Sequence, residues 1–382
     1  MDVGIVGAGP SGLYLAKLIG RMHNVQIIEE DKSLGIPLHC TGLISERMAH
    51  ALGLVEVVEN KYDTITITTD LKHRGLTLAL RRNRVVMLNR PGLENHLLSQ
   101  INGVEVKLGV RALEVSRDRG IVKGSGGYVG KFDLVAIGEG ARGFLAKAVV
   151  GNRPYTRVGL QADGKSRHLK DLIADEGHII VLFGRRYSGS FFSWIVPKGD
   201  GSFRVGVVDS EGQVSAMFRR LLKITDLSPM RVFGGRVVVG SMSTVYGLGK
   251  VALIGDSTGV TKSLTGGGIV TGMLTSAILA KAIAESEGPE EAVLRYNRAM
   301  GTLGSLSKIY TAISRALYSN IEAAEVALEG LDGDYIEVDD YDNHLEAIVR
   351  ILAGLRGFRH IARALTMLNI EGSLLANLLT SL

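Results

Sequence analysis

Only one cysteine, Cys40, stands in the 382 residues, so no disulfide can form within the chain, and a reducing compartment is expected. Aromatic residues are scarce at 5%, and no compact run of Lys and Arg is interleaved with them. The net charge of +5 and the pI of about 9.2 are a mild excess, able to favour anionic cofactors or an anionic membrane face. The footprint of a nucleic-acid binder is missing. No uninterrupted apolar run reaches the ~18 residues of a spanning helix. No basic n-region or cleavage site precedes the first strand, which points to the cytoplasm. The 9 histidines show no paired spacing with carboxylates or a second thiol, so no metal site is expected. No nucleophile elbow or defensible Ser-His-Asp order is present either.

Glycine, by contrast, is abundant. The 49 glycines are roughly twice the average share. Without low complexity, that excess points to tight turns or close backbone approach to a ligand. The first of these turns lies in "VGIVGAGPSG", residues 3–12. Residues 2–7 read as a buried strand, 10–22 as a helix and 24–29 as the next strand, a βαβ start. Gly7, Gly9 and Gly12 form GxGxxG, with Ala8, Pro10 and Ser11 between them. The first Gly permits the turn, the second lets a pyrophosphate approach the backbone, and the third lets helix and strand pack closely. The helix N-terminus stabilises the anion. Glu29 ends the second strand, where it could accept hydrogen bonds from ribose hydroxyls; Glu30 is the neighbouring candidate.

Further on, "YDTITITTD" and "LTLALRRNRVVML" alternate like antiparallel strands, and "PGLENHLLSQI" reads as a short helix. Residues 131–138 read as a strand, and residues 155–245 as a mostly antiparallel sheet interrupted by a helix at about 213–223. "KVALIGDS", residues 250–257, leads through "LTGGG" into a helix at about 268–286. From 289 the chain reads as helical, broken by the acidic stretch "LDGDYIEVDDYD". The expected class is therefore α/β, with discontinuous domains. Residues 1–60, 86–154 and 246–288 form a Rossmann-like nucleotide-binding domain. Residues 61–85 and 155–245 form an inserted antiparallel-sheet substrate domain, and 289–382 a C-terminal helical region.

The turn alone does not choose between FAD and NAD. "VGIVGAGPSG" with "IIEE", then "VVMLNRPGLENHL", "LVAIGEGARG" and "VALIGDSTG…LTGGGI" together resemble the FAD-binding frame of the p-hydroxybenzoate hydroxylase superfamily. Within it, "PLHCTGLIS" and "LTGGGI" resemble the geranylgeranyl reductase family, which reduces isoprenoid double bonds, in archaea on the geranylgeranyl chains of ether lipids. The resemblance implies FAD as cofactor. It places Asp256 on the ribitol, Arg90 near the cofactor, and Thr265, Gly266, Gly267, Gly268 and Ile269 at the pyrimidine end of the flavin. Cys40 and Gly42 would lie in a loop approaching the flavin, with Cys40 positioning substrate, gating or donating a proton. Gly138, Glu139 and Gly140 stand where the family reads alanine-aspartate-glycine, so Glu139 reaches one methylene further than the usual residue.

"SFFSWIVPKGDG" holds the only tryptophan. Phe192-x-Trp194-x-Val196-Pro197 matches the spacing of that family's aromatic-x-Trp-x-apolar-Pro motif. Alternation puts Phe192, Trp194 and Val196 on one strand face, an apolar wall suited to a prenyl chain. The expected activity is a FAD-dependent reduction of isoprenoid C=C bonds. NADPH and reduced ferredoxin stand equally open as electron donors, because no second dinucleotide fingerprint is present. A flavin monooxygenase or halogenase, an electron-transfer flavoprotein and a lipid carrier with structural FAD are the alternatives. The amphipathic stretch 341–370 reads as a packed helix or as peripheral contact with a membrane surface.

Overall fold

A computed structural model of the chain describes residues 1–354 apart from Ala174. The stretch 355–370 of the candidate membrane-contact helix lies outside the described residues.

Two large sheets organise the chain. The first has six strands in the order Gly247–Leu248, Val251–Leu253, Leu134–Ile137, Asp2–Val6, Asn24–Ile28 and Val104–Lys107. All neighbours run parallel except the short first strand. Leu134–Ile137 is buried throughout, as a parallel strand covered on both faces must be. On one face pack the helices Pro10–Ile19, Arg90–Ser99 and Ile269–Ala284, all in one apolar cluster with Leu13, Leu93 and Leu274 at its centre. On the other face Val135 and Ile137 meet Val122 of a small three-stranded sheet and Leu145 of the helix Phe144–Val150. The helix expected to reach residue 22 stops at Ile19. Gly20 caps it through its N–H to the Ala16 carbonyl, and a Cβ at Gly20 would crowd Val104, 2.8 Å away.

The second sheet has eight strands: Ser228–Val238, Thr156–Lys165, Phe203–Asp209, Ser193–Pro197, His178–Leu182, Thr64–Thr68, Leu76–Asn83 and Tyr335–Asp340. It is mostly antiparallel, as expected, with two parallel joins. Thr64–Thr68 runs parallel to His178–Leu182, and Tyr335–Asp340 parallel to Leu76–Asn83. Both parallel joins are made by segments more than a hundred residues apart, where the long crossover that parallel pairing requires is available. Strand alternation gives the sheet two unlike faces. Ile180, Ile195 and Val205 pack on Phe218 and Leu221 of the helix Val214–Ile224. Ile179, Trp194 and Val196 point the other way.

The C-terminal part begins with the long helix Pro289–Ser319 and the helix Ile321–Glu329. The acidic break after them carries the strand Tyr335–Asp340, so the region is not helical throughout. Its charges meet partners on the neighbouring strand: Arg81 Nε lies 2.9 Å from Glu337, and Arg82 Nε 3.8 Å from Asp339. No helix among the described residues is long and apolar enough to cross a membrane.

A buried ion pair ties the segment after this last strand to the loop that precedes helix Ile269–Ala284. The ammonium of Lys262 meets the carboxylate of Asp342, and both side chains are almost fully buried. Asp342 also accepts the Ser45 N–H at 3.1 Å. Burial opposes the charge on Asp342, but Lys262 and this N–H outweigh it and hold the carboxyl below its ordinary range. Removing one partner leaves an uncompensated buried charge. Lys262→Met should lower unfolding stability in urea by about 3–5 kcal/mol, and adding Asp342→Leu should restore part of the loss. A single variant within about 1 kcal/mol of the parent would show the pair to be no stronger than a surface contact.

Candidate functional site

The two sheets face each other across one cavity of about 1360 Å³. Pockets for drug-sized ligands run to about 1,000 Å³, so there is room for a large ligand and part of a second.

At one end stands the glycine turn. Gly7 has φ +98° and donates its N–H to the Ile28 carbonyl at 2.8 Å. Gly12 lies against the Gly7 carbonyl, where a Cβ would overlap it. A Cβ on Gly9 would meet nothing within 4 Å, because this residue faces the cavity. Pro10 occupies the start of the helix, and Ser11 is clasped from behind: its carbonyl accepts Ser276 Oγ at 2.8 Å. Glu29 accepts the N–H of Ala8 at 2.5 Å and of Asp31 at 2.8 Å, so its carboxylate braces the turn while lining the cavity. Burial raises its pKa against these two hydrogen bonds. Glu30 lines the same end and pairs with Arg142, 2.7 Å away. Gly138 and Gly140 line the same end, and a Cβ on Gly140 would also meet nothing. The carboxylate of Glu139 caps the following helix, accepting the N–H groups of Phe144 at 3.0 Å and Ala146 at 2.7 Å. That is what its extra methylene reaches.

In the middle of the cavity lie Asp256, Arg90 and the loop through Gly266. Burial pushes the Asp256 carboxyl up to about 6, against the pull of Arg90. Gly268 has to lack a side chain, since a Cβ there would overlap the Asp256 carboxylate. Helix Ile269–Ala284 begins here with no side-chain cap, so its first N–H groups and positive dipole end are left at the cavity beside Thr265, Gly266 and Gly267. Arg90 donates from Nη2 to Glu94 at 2.6 Å, while its Nε and Nη1 are buried without a partner.

The Cys40 loop closes this middle section. It follows the cis Ile36–Pro37 bond, and Gly42 takes φ +86° and points its N–H at the Cys40 sulfur, 3.3 Å away. The loop is tied to the second sheet. Thr41 Oγ1 donates to Gln161 at 2.6 Å, Gln161 Nε2 to the His39 carbonyl at 3.3 Å, and Arg204 Nη1 to the Thr41 carbonyl at 3.0 Å. Arg204 is itself fixed by a two-pronged bond to Asp163, at 2.7 and 2.9 Å.

Beyond the loop the cavity becomes an apolar chamber. Phe192 and Trp194 line it, their rings edge to face at 5.9 Å. A Cβ on Gly206 would overlap the indole of Trp194, so this glycine makes room for the ring. Val196 is fully buried in the same cluster but behind the lining, and Pro197 uses its carbonyl to accept the Tyr62 hydroxyl at 2.5 Å. The sequence reading missed the far wall, where Leu328, Leu331, Val338, Tyr341 and His344 line the chamber. The alternation of Ile336 and Val338 with Glu337 and Asp339 was the available signal. Among the described residues no group of three His, Cys, Asp or Glu could hold a metal ion.

A parallel sheet joined across a cavity to a mixed sheet is a fold that the chain shares with FAD-dependent oxidoreductases of solved structure. Within that class the similarity lies with the geranylgeranyl reductases. The chain is 24% identical over 377 residues to a digeranylgeranylglycerophospholipid reductase of Methanocella arvoryzae, covering 88% of this chain and 93% of the relative. It is 26% identical over 341 residues to an uncharacterized protein of Methanocaldococcus jannaschii, covering 80% and 81%. The fold matches a geranylgeranyl bacteriochlorophyll reductase-like protein of Thermoplasma acidophilum with a TM-score of 0.80 at 17% identity, over 95% of this chain and 98% of that one. A Klebsiella pneumoniae HpxO variant complexed with FAD superposes with a TM-score of 0.63 at 16% identity, over 87% and 94%. No family model matches the chain.

The residues present fit FAD. The glycine cradle would take the pyrophosphate, the two unpartnered Arg90 nitrogens would gain an acceptor, and Asp256 would face ribitol hydroxyls. Gly9→Ala and Gly12→Ala therefore separate binding from folding. Gly9→Ala should melt like the parent yet bind FAD at least about tenfold more weakly, measured by flavin fluorescence, because the methyl enters only the cradle. Gly12→Ala should lower the melting temperature. Equal FAD affinity in the parent and Gly9→Ala would remove the pyrophosphate from this turn.

Asp256 gives a pH test. Its folded pKa lies above the ordinary 3.8, so the folded protein holds the proton longer than the unfolded chain. Stability of the FAD-free protein should fall as pH rises from about 4 through 6, and Asp256→Asn should flatten that decline. An unchanged pH profile in Asp256→Asn would rule this group out as its source.

Proposed function

We propose that the protein is a FAD-dependent reductase of isoprenoid carbon–carbon double bonds, acting on geranylgeranyl chains of ether lipids. The observation that carries this reading is the continuity of the cavity. One space runs from the glycine turn, past the Cys40 loop, into a chamber walled by aliphatic and aromatic side chains.

Bound in its reduced form, FAD supplies the hydride for one alkene carbon, and a proton completes the saturated pair at the other. An isolated alkene has no carbonyl to polarise, so the chain's own contribution is placement and exclusion of water. Phe192 and Trp194 give the prenyl chain a flat apolar surface. The N-terminus of helix Ile269–Ala284 and the Arg90 guanidinium favour negative charge at the cofactor end. Cys40 lies on the cavity wall, between the cofactor end and the chamber, as the candidate proton donor. The reading is supported by the name of the Methanocella relative and by the chemistry of the chamber wall.

The test reduces the FAD-loaded protein anaerobically with dithionite and adds a geranylgeranylated glycerophospholipid. The expected result is flavin reoxidation with gain of one hydrogen pair per double bond, read by absorbance and product mass. Cys40→Ala should slow reoxidation at least about tenfold while leaving bound FAD in place. Flavin that stays reduced until air enters, with the lipid unchanged, would overturn the assignment and favour oxygen or electron-transfer chemistry.

A further inference from the structure

His344 is the polar group in the chamber that the reading above leaves without a task. It follows the strand Tyr335–Asp340 and opens the helix His344–Gly354. The residue is 9% exposed, lines the cavity, and has no hydrogen-bond partner at either Nδ1 or Nε2. Its ring is wedged edge-on between Tyr341, at 5.7 Å, and Tyr310, at 6.2 Å. Around it the chamber wall is aliphatic, with Ile313, Leu317 and Ile348. Tyr318, a phenol on the same wall, is satisfied, donating to the Leu264 carbonyl at 2.7 Å. Trp194 Nε1 is unpartnered as well, but an indole can only donate.

The imidazole is neutral. Burial and the Lys262 ammonium push its pKa down to about 3, and the neighbouring Asp342 carboxylate, engaged by Lys262, does not reverse this. A neutral imidazole presents one donor and one acceptor. Leaving both unused in an apolar wall is costly. A plain hydrocarbon lying alongside would leave both nitrogens unpaired, whereas a ligand oxygen met by a turn of the ring would pair with one of them.

We propose that His344 fixes the register of the ligand by a hydrogen bond to an oxygen atom on an otherwise apolar chain, so that the chamber selects oxygen-bearing isoprenoids over hydrocarbons of the same length. The oxygen is a hydroxyl, ether or ester oxygen. The bond determines which double bond lies at the Cys40 loop. This inference rests on the chamber's taking an isoprenoid chain.

The experiment uses the oxidised, FAD-loaded protein. Trp194 is the only tryptophan and lines the chamber, so its fluorescence reports occupancy directly. Geranylgeraniol and the C20 tetraene hydrocarbon lacking its hydroxyl are titrated from the same detergent. The parent should bind the alcohol about tenfold more tightly, the worth of one hydrogen bond. His344→Leu should bind both equally, and His344→Gln, which keeps a donor and an acceptor, should restore part of the preference. Equal binding of the two lipids by the parent, or a tenfold preference surviving in His344→Leu, would overturn the role of His344 while leaving the isoprenoid chamber intact. If neither lipid changes Trp194 fluorescence in the parent, the chamber reading fails and this inference fails with it.

Discussion

The buried ion pair between Lys262 and Asp342 joins separate walls of the cavity. The walls of this space of about 1360 Å³ are joined by directional contacts as well as by apolar burial. Lys262 belongs to the turn before Gly266, Asp342 to the segment after the last strand, and Ser45 to the short strand Leu43–Ser45 that follows the Cys40 loop. One carboxylate therefore joins three walls, with a directional requirement that hydrophobic contact lacks. The Arg204–Asp163 pair does the same for the Cys40 loop from the side of the second sheet. Charges buried this way are weak sources of net stability, and geometric definition is their better-attested use.

The two halves of the cavity are built on different principles. The nucleotide end is made of backbone: glycines without Cβ atoms, a helix N-terminus with free N–H groups, and carboxylates that brace turns. It suits a polar, anionic ligand at fixed points. The chamber is made largely of side chains at alternating strand positions, such as Ile65 and Ile67, Leu78 and Leu80, and Ile179 and Val181. That surface is apolar along its length, which suits the isoprenoid chain proposed above. Selectivity then falls to the few polar atoms interrupting it.

The nucleotide end was legible in the sequence because it is local. The spacing of Gly7, Gly9 and Gly12 between an apolar strand and a helix carries its own geometry, and Asp256 with Gly266–Gly268 sits within a dozen residues of chain. Glu139 was legible as a departure but not in its purpose, because a cap on Phe144–Val150 looks the same in sequence as a ligand contact. The far wall was hidden for another reason. Tyr335–Asp340 pairs with Leu76–Asn83 across some 250 residues, and its acidic residues look like a solvated break until Arg81 and Arg82 are seen beside them. His344 has no sequence signature at all: a lone histidine in an amphipathic segment acquires meaning only from the absence of partners around it.

Residues 7–12 and residues 338–344 wall the same cavity, although nearly the whole described chain lies between them. On a ribosome delivering ~5–20 residues per second, the glycine turn and its sheet emerge well before the strand that seals the chamber. The nascent protein thus passes through a stage in which the nucleotide end is assembled and the opposite side is still missing. The far wall is therefore the last part of the cavity to be synthesised, after every residue of the nucleotide end.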